Sequence, residues 1–300
     1  MQKVEGVIVH KSENLPSLLL LLMCCWMVLP CGLTFADDSD VNAMFKRDRL
    51  VAWCIVPFDA RKRTPKQRAE MVNRLGMSRV AYDWRAEHVP TFEEEVEQYK
   101  KHGIEFFAFW SWHDALEPLI AKHGIQPQIW LMVPGVGDIA DSEKVQVAAE
   151  RLRPMVEKTA RLGLRLGLYN HGGWGGEPEN LAAVCKHLRE HFKAEHVGIV
   201  YNFHHGHEHI ERFPAAFHAI KPYLFCLNLN GMAEPASVSR GQNKILPIGQ
   251  GLHEKSLIKE VLRQGYRGPI GILDHRNELD AETSLMQNLK GLDALVDDLR

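Results

Sequence analysis

The regular alternation of two kinds of segment constrains the fold of this chain more than any other feature. After residue 49, eight short runs are rich in β-branched, aromatic and other apolar residues. Several are apolar almost throughout, as strands buried on both faces of a parallel sheet are. The predicted strands are 50–56, 78–84, 104–110, 127–133, 164–170, 197–203, 223–229 and 269–275.

Each predicted strand is followed by a segment with helical periodicity. These segments cover 64–76, 91–103, 113–124, 142–163, 177–192, 209–221, 254–266 and 280–299. Several end in glycine, as at Gly76 and Gly124, which is typical of a helix C-terminus. Eight strand–helix pairs predict a single-domain α/β fold, a (β/α)8 TIM barrel over residues 50–300. No Gly-x-Gly-x-x-Gly follows the first strand, so the fingerprint of a dinucleotide-binding fold is lacking.

The first 36 residues have the composition of a secretory signal peptide. Residues 15–36 carry no charge, and an acidic stretch follows the small residue Ala36 directly. We predict cleavage after Ala36, export to the periplasm or the cell exterior, and a lead-in segment over 37–49. The alternative is an uncleaved leader acting as a membrane anchor, because the uncharged run is nearly long enough to span a bilayer. An uncleaved leader would be the expected membrane contact.

Charge and cysteine content argue against two classes of protein. The formal net charge is −2, which gives no reason to expect nucleic acid as a partner. Beyond the leader only Cys54, Cys185 and Cys226 remain, and three widely spaced cysteines do not make a disulfide framework. We expect them to be buried free thiols.

Polar and aromatic residues gather at the predicted carboxyl ends of the strands, where barrels of this kind carry their active sites. A single Asp or His there is usually a helix cap. Groups from separate strands must converge on one axis, however, so together they predict a small-molecule site. The candidate binding residues are Asp83, Trp84, Arg85, Trp112, His113, Asn202, His204, Asn228, Asn230 and Arg276. The candidate catalytic residues are His171, His205, Asp274 and His275.

The segment YNFHHGHEHI, residues 201–210, contains four of the sixteen histidines. Because the sixth predicted strand ends here, we expect His204 and His205 to face the barrel mouth. We expect His207 and His209 to be solvated residues of the following loop and the first helical turn.

The chain resembles the xylose isomerase-like TIM barrel superfamily, which includes sugar phosphate isomerases and epimerases. The resemblance covers roughly the whole chain after the leader in element order and is most specific in the second half. The segments LGLYNHGG, VGIVYNFHHG and FCLNLNGM are similar to that family's fifth, sixth and seventh strands. The segment from ILPIGQG to GILDH is similar to its closing pattern. The resemblance implies a small-molecule carbohydrate as ligand and a divalent metal held by Glu, Asp, His and Glu from strands five to eight.

The positions that the resemblance assigns to the metal have mostly lost their charge. They are Tyr169, Asn202, Asn228 and Asp274, and only Asp274 keeps an anionic oxygen. The cofactor therefore stays open. The metal candidates are His171, His205, Asp274 and His275, a set suited to zinc or iron. The same imidazoles would equally hydrogen-bond sugar hydroxyls without a metal.

Two functions stay open at this point. The first is an exported isomerase, epimerase or lyase acting on a sugar or sugar acid, with one of the mouth histidines as acid/base. Asp274 would orient that histidine, and Arg85 or Arg276 would bind an anionic group. The second is a non-catalytic carbohydrate-binding barrel, favoured by the lost ligands. The tryptophans expected to stack on sugar rings are Trp84, Trp110, Trp112 and Trp174. DNA repair on the same barrel is disfavoured by export, mild acidity and the lost ligands.

Overall fold

The computed structural model describes residues 42–235, 244–276 and 278–299, and the leader predicted for residues 1–36 lies outside these ranges. Eight parallel strands close into a barrel, each paired with its neighbours along the chain and the last paired with the first. The strands are β1 (Leu50–Trp53), β2 (Arg79–Tyr82), β3 (Glu105–Trp110), β4 (Gln128–Met132), β5 (Leu166–Tyr169), β6 (Val197–Asn202), β7 (Leu224–Leu229) and β8 (Ile270–Leu273). The chain is a (β/α)8 TIM barrel, as the alternation predicts.

A helix follows each strand. The helices are α1 (Pro65–Arg74), α2 (Phe92–Lys101), α3 (Leu116–His123), α4 (Asp141–Arg161), α5 (Pro178–Phe192), α6 (Phe213–Ile220), α7 (Glu254–Arg263) and α8 (Ala281–Asp297). Within the described ranges, none of these helices is both long and apolar enough to cross a membrane.

Local sequence signals explain where helices start and stop. At the start of α1, the Thr64 hydroxyl accepts a hydrogen bond from the Gln67 amide while the Gln67 side chain accepts one from the Thr64 amide, and Pro65 takes the first helical position. At the end of α3, Gly124 adopts a left-handed conformation with φ 61°, which lets the chain leave the helix.

The barrel interior is a second core, separate from the layer between strands and helices. Bulky side chains on alternate strand positions fill it, with glycines opposite them. Gly167, for instance, would place a Cβ 2.7 Å from Val200 and 3.0 Å from the Trp130 ring. At the rim, β1 pairs with β8 so that Trp53 lies beside Leu273. This pairing fixes which residues of β8 point inward.

Two local features differ from the sequence prediction. A short antiparallel ribbon, Gly231–Met232 with Ile245–Leu246, follows β7. The helix predicted from residue 209 begins at Phe213, because residues 203–209 form two 3-10 turns instead. The Asn202 side chain accepts a hydrogen bond from the His204 amide at 3.0 Å and starts the first of these turns.

Candidate active site

A cavity of about 80 Å³ opens at the carboxyl ends of the strands. Seven of the residues predicted from strand ends line it: Asp83, Arg85, His171, Asn202, His204, His205 and His275. Six further lining residues are Trp53, Cys54, Phe58, Trp110, Tyr169 and Leu273. The lining therefore draws on β1, β2, β3, β5, β6 and β8 and on the loops that follow them.

The floor of the cavity is aromatic. Trp53 and Trp110 lie with ring centroids 5.8 Å apart, and Tyr169 packs edge-on against Trp110 at 4.9 Å. The Tyr169 hydroxyl accepts a hydrogen bond from the Trp53 indole at 3.1 Å and another from the Asn202 amide. Burial raises the pKa of the Tyr169 hydroxyl, so this group stays protonated. An aromatic floor of this kind suits the apolar C–H face of a sugar ring.

Four imidazoles stand in a row above this floor. The ring centroids of His171 and His205 are 4.4 Å apart, those of His205 and His204 are 4.2 Å apart, and those of His204 and His275 are 5.3 Å apart. Burial lowers the pKa of His205 to about 2, of His204 to about 3 and of His275 to about 4. These three rings are neutral at pH 7, so each offers one N–H donor and one nitrogen acceptor.

Asp83 is the one carboxyl group among the cavity-lining residues. It is 2% exposed, its Oδ1 accepts a hydrogen bond from the Val56 amide at 3.3 Å, and its Oδ2 has no partner among the described residues. Burial raises its pKa to about 7, although the Arg85 guanidinium works in the opposite direction. Asp83 therefore exchanges a proton near neutral pH.

Cys54 is a lining residue that the sequence analysis did not select. It follows β1 in a left-handed conformation with φ 64°, which is uncommon for a residue other than glycine. Burial, together with the Asp83 and Asp274 carboxyls, raises the pKa of its thiol well above the ordinary value. A thiol that stays protonated is a poor nucleophile. Trp53 was also missed, although the strand-end rule applied to β1 would have found it.

Four predicted aromatic residues lie outside the cavity lining. The Trp84 ring packs on the outer core against Phe109, and its indole donates to the Trp110 carbonyl at 2.6 Å. The His113 ring meets Trp84 edge-on at 5.0 Å. Trp112 lies beneath the Lys158 ammonium at 4.5 Å. Trp174 likewise packs against the outer core, so Trp110 is the one expected stacking residue that lines the cavity.

Asp274 and Arg276 point away from the mouth. Leu273 and His275 line the cavity, and alternation along the strand turns the intervening Asp274 outward. Asp274 is fully buried, and burial raises its pKa well above the usual range. Arg276 donates to the Ser284 hydroxyl at 3.0 Å and to Gln287 at 3.1 Å, both on α8. Asp274 is therefore not placed to orient a mouth histidine, and Arg276 is not placed to bind an anionic group in the cavity.

Asn228 and Asn230 are buried but do not line the cavity either. The Asn228 amide fills the space beside Gly271, where it would meet any added Cβ, and its oxygen accepts from the Cys226 thiol at 3.5 Å. Asn230 donates to the Gly231 carbonyl at 2.9 Å. Both side chains therefore make their contacts with the barrel itself and not with the cavity.

The expectation that His207 and His209 are solvated is wrong. They are 7% and 3% exposed, because the 3-10 turns fold back over the barrel instead of projecting from it. His209 Nδ1 shares a hydrogen bond with the buried Tyr201 hydroxyl at 2.8 Å, and its Nε2 lies 3.5 Å from the Glu177 carboxylate. His209 therefore ties the loop after β6 to the start of α5.

The donor set does not fit the divalent metal that the resemblance implies. Of the four inherited positions, Tyr169 keeps its proton, Asn202 spends its amide on local hydrogen bonds, and Asn228 and Asp274 lie outside the lining. Nor do three ligand atoms of the predicted His and Asp set come within 4.8 Å of one another in the described ranges. The group that does is Glu93, Glu97 and His123 on α2 and α3.

Comparisons with known proteins agree with the barrel. A 3-keto-D-glucoside 4-epimerase from E. coli is 14% identical, with a TM-score of 0.57 over 82% of this chain and 98% of that one. An IOLI protein with a binding zinc atom is 15% identical, with a TM-score of 0.61 over 84% and 99%. A probable 3-DHS dehydratase from Bacillus anthracis is 14% identical, with a TM-score of 0.57 over 82% and 98%. These likenesses concern the fold alone.

No curated protein sequence matches the chain. The family model described as xylose isomerase-like TIM barrel matches residues 111–295, which is more than half of the sequence. The match includes the strand ends that carry all four mouth imidazoles and the whole of the segment in which the inherited metal positions lie. The chain belongs to the xylose isomerase-like TIM barrel family.

Proposed function

We propose that the protein converts a sugar or sugar acid by moving a proton on a carbon next to a carbonyl group, as an isomerase, an epimerase or a lyase. The observation that carries this proposal is Asp83. Its carboxyl group lines the cavity, its Oδ2 is unpartnered, and its pKa is near 7. A general base acts best when its pKa lies near the working pH.

The neutral imidazoles complete the proposed chemistry. The Asp83 carboxylate takes the proton from carbon, and the C–H electron pair moves into an enediolate. An imidazole N–H, of which His205 is the best candidate, donates a hydrogen bond to the oxygen on which charge develops. Return of the proton to the neighbouring carbon, with the hydroxyl proton passing to the former carbonyl oxygen, isomerises the sugar. Protonation of the original carbon on its other face by a second proton donor, while Asp83 keeps the abstracted proton, epimerises it. In a lyase reaction the adjacent hydroxyl leaves as water after taking a proton from a general acid.

The family of the chain supports this reaction class. Similar folds include proteins named as an epimerase and as a dehydratase. The proposed mechanism routes no step through a metal, because the atoms at the inherited ligand positions do not fit one. Charge on the oxygen is instead met by hydrogen-bond donors and by the Arg85 guanidinium at the rim.

The test uses proton exchange, which does not require the product to be known. Aldoses, ketoses and sugar acids are incubated with the protein in D₂O, and loss of C–H signal beside the carbonyl is followed by ¹H NMR with and without EDTA. We expect exchange with at least one sugar, unaffected by EDTA, rising through pH 7 as Asp83 ionises. Asp83→Asn should lower the rate at least about 100-fold, as general acid–base catalysis typically contributes.

The control is Asp48→Asn, the same chemical change at an exposed residue before β1, at the opposite end of the barrel. Exchange that EDTA abolishes would contradict the metal-free mechanism. Sugar binding without exchange in any member of the series would favour the second candidate, the carbohydrate-binding barrel, which the lost carboxylates and the aromatic floor support.

We also propose that the protein is exported. The support is the uncharged run over residues 15–36 with a small residue at its end. N-terminal sequencing of the native protein should find a start near Asp37. An intact leader in a membrane fraction would argue for the anchor instead.

A further inference from the structure

The rim of the cavity carries an arginine whose position is fixed and whose charge is not paired. Arg85 Nη1 donates to the Asp83 carbonyl at 3.1 Å and to the Trp84 carbonyl at 2.8 Å, and its guanidinium lies 5.4 Å from the Phe58 ring centroid. Among the described residues, its Nε and Nη2 groups have no partner and no carboxylate comes within 4.0 Å of it. Arg85 is thus held in place with donors to spare.

A second cation, Lys244, acts electrostatically on the imidazole row. Lys244 is half-buried, and its charge adds to burial in lowering the pKa values of His204 and His205. Glu208 attracts it but forms no ion pair with it in the part of the chain that the structure describes. Taking a charge out of water without a partner is costly, so unpaired and half-buried cations indicate an anionic ligand.

The charge of the cavity lining also favours an anionic ligand. The three imidazoles with lowered pKa values are neutral at pH 7, and Asp83 is about half ionised there. Arg85 lines the cavity, and Lys244 acts electrostatically on His204 and His205, so both contribute positive charge at the imidazole row. An enediolate formed in this mouth would gain from the same charges.

The usual phosphate-binding place of such barrels, the loops after the last two strands, is occupied by the protein itself. The amides of Gly249 and Gly251 donate to Glu254 at 2.9 and 2.8 Å, and the Ile248 amide donates to Asn288 at 2.9 Å. Glu254 is 1% exposed, so a carboxylate already fills this turn. A phosphate group would not find the amides of Gly249 and Gly251 free there.

We propose that the substrate is a sugar acid whose carboxylate is bound by the free edge of the Arg85 guanidinium, with Lys244 as the second cation. This inference rests on the proposed function and names its substrate class. Planar carboxylate oxygens match the paired N–H groups of arginine, which favours a carboxylate over a single-point contact with a hydroxyl.

The experiment compares matched probes by isothermal titration calorimetry. The carboxylates are D-glycerate, D-gluconate and D-glucuronate, their uncharged partners are glycerol, D-glucitol and D-glucose, and D-glucose 6-phosphate is the phosphate arm. Wild-type protein should bind at least one carboxylate at least tenfold more tightly than its uncharged partner. Arg85→Gln should abolish that preference, Arg85→Lys should weaken it, and Lys244→Gln should reduce it by a smaller factor. Arg263→Gln, an exposed arginine on α7, is the control that should bind as wild type does.

Three results would overturn the inference: equal binding within all three pairs, preference for the phosphate over every carboxylate, or an unchanged preference in Arg85→Gln. Its failure is distinguishable from failure of the proposed function. Proton exchange with neutral sugars alone would support the proposed function and contradict the inference that the substrate is a sugar acid. Carboxylate-dependent binding without proton exchange would support a carboxylate ligand and contradict the proposed function.

Discussion

Replacing Asp83 by asparagine removes an ionisable group from the cavity while keeping its shape. The asparagine oxygen still accepts from the Val56 amide, and the new NH₂ takes the place of the unpartnered Oδ2. The direction of the stability change follows from proton binding. In the unfolded chain the carboxyl group has the ordinary pKa of 3.8. In the folded protein its pKa is about 7, so it keeps its proton to a higher pH. Between these values the folded state binds more protons, so wild-type stability falls as pH rises.

The magnitude follows from the same two values. Each pKa unit corresponds to about 1.4 kcal/mol, so a shift of roughly three units destabilises the wild type by about 4 kcal/mol once both states are ionised. About 2 kcal/mol of this is already lost at pH 5, so about 2–3 kcal/mol remains to be lost between pH 5 and pH 8. The asparagine variant has no carboxyl group at this position and so lacks this loss of stability. Its free energy of unfolding, relative to wild type, should therefore rise by about 2–3 kcal/mol over that range.

Urea unfolding followed by circular dichroism at pH 5, 6, 7 and 8 measures this difference, because titration of every other group cancels between the two proteins. Asp48→Asn is again the matched control and should show a flat difference. A flat difference for Asp83→Asn would mean that its folded-state pKa is ordinary. The general base at the centre of the proposed mechanism would then lose its physical basis.

Three further outcomes are expected. His209→Ala should lower the free energy of unfolding, measured in urea, by about 1–3 kcal/mol, since it leaves the buried Tyr201 hydroxyl without a partner. A loss under about 0.5 kcal/mol, the range of surface positions, would contradict the burial of His209. Gly271→Ala should destabilise by about 1–3 kcal/mol in the same assay, because its Cβ would meet the Asn228 amide inside the closed barrel; wild-type stability would show that this wall is not tightly packed. Cys54 should resist iodoacetamide in the folded protein at pH 7.5 and react after unfolding, since its thiol is buried and its pKa is raised; mass spectrometry that finds it alkylated in the native state would contradict this.

The number and order of the elements are local properties of this sequence. A strand buried on both faces is apolar at successive positions and a helix is apolar at every third or fourth, so composition alone locates all eight strands. The errors are at the ends. The first strand stops at Trp53 instead of residue 56, because the left-handed conformation of Cys54 turns the chain out of the sheet. That turn depends on the loop that packs around Asp83, which sequence periodicity does not report.

The candidate site could be located from the sequence, but its composition could not. Closure of the barrel decided which side chains face inward, and a phase difference of one residue exchanges Leu273 for Asp274 at the mouth. Burial of His209 depended on where the turns after β6 fold back. The raised pKa of Asp83 arises from burial in a cavity whose lining comes from strands that are distant along the chain. Periodicity is set by neighbours in sequence. The direction in which a side chain points, its burial and its pKa are set by neighbours in space, and only the tertiary structure brings these neighbours together.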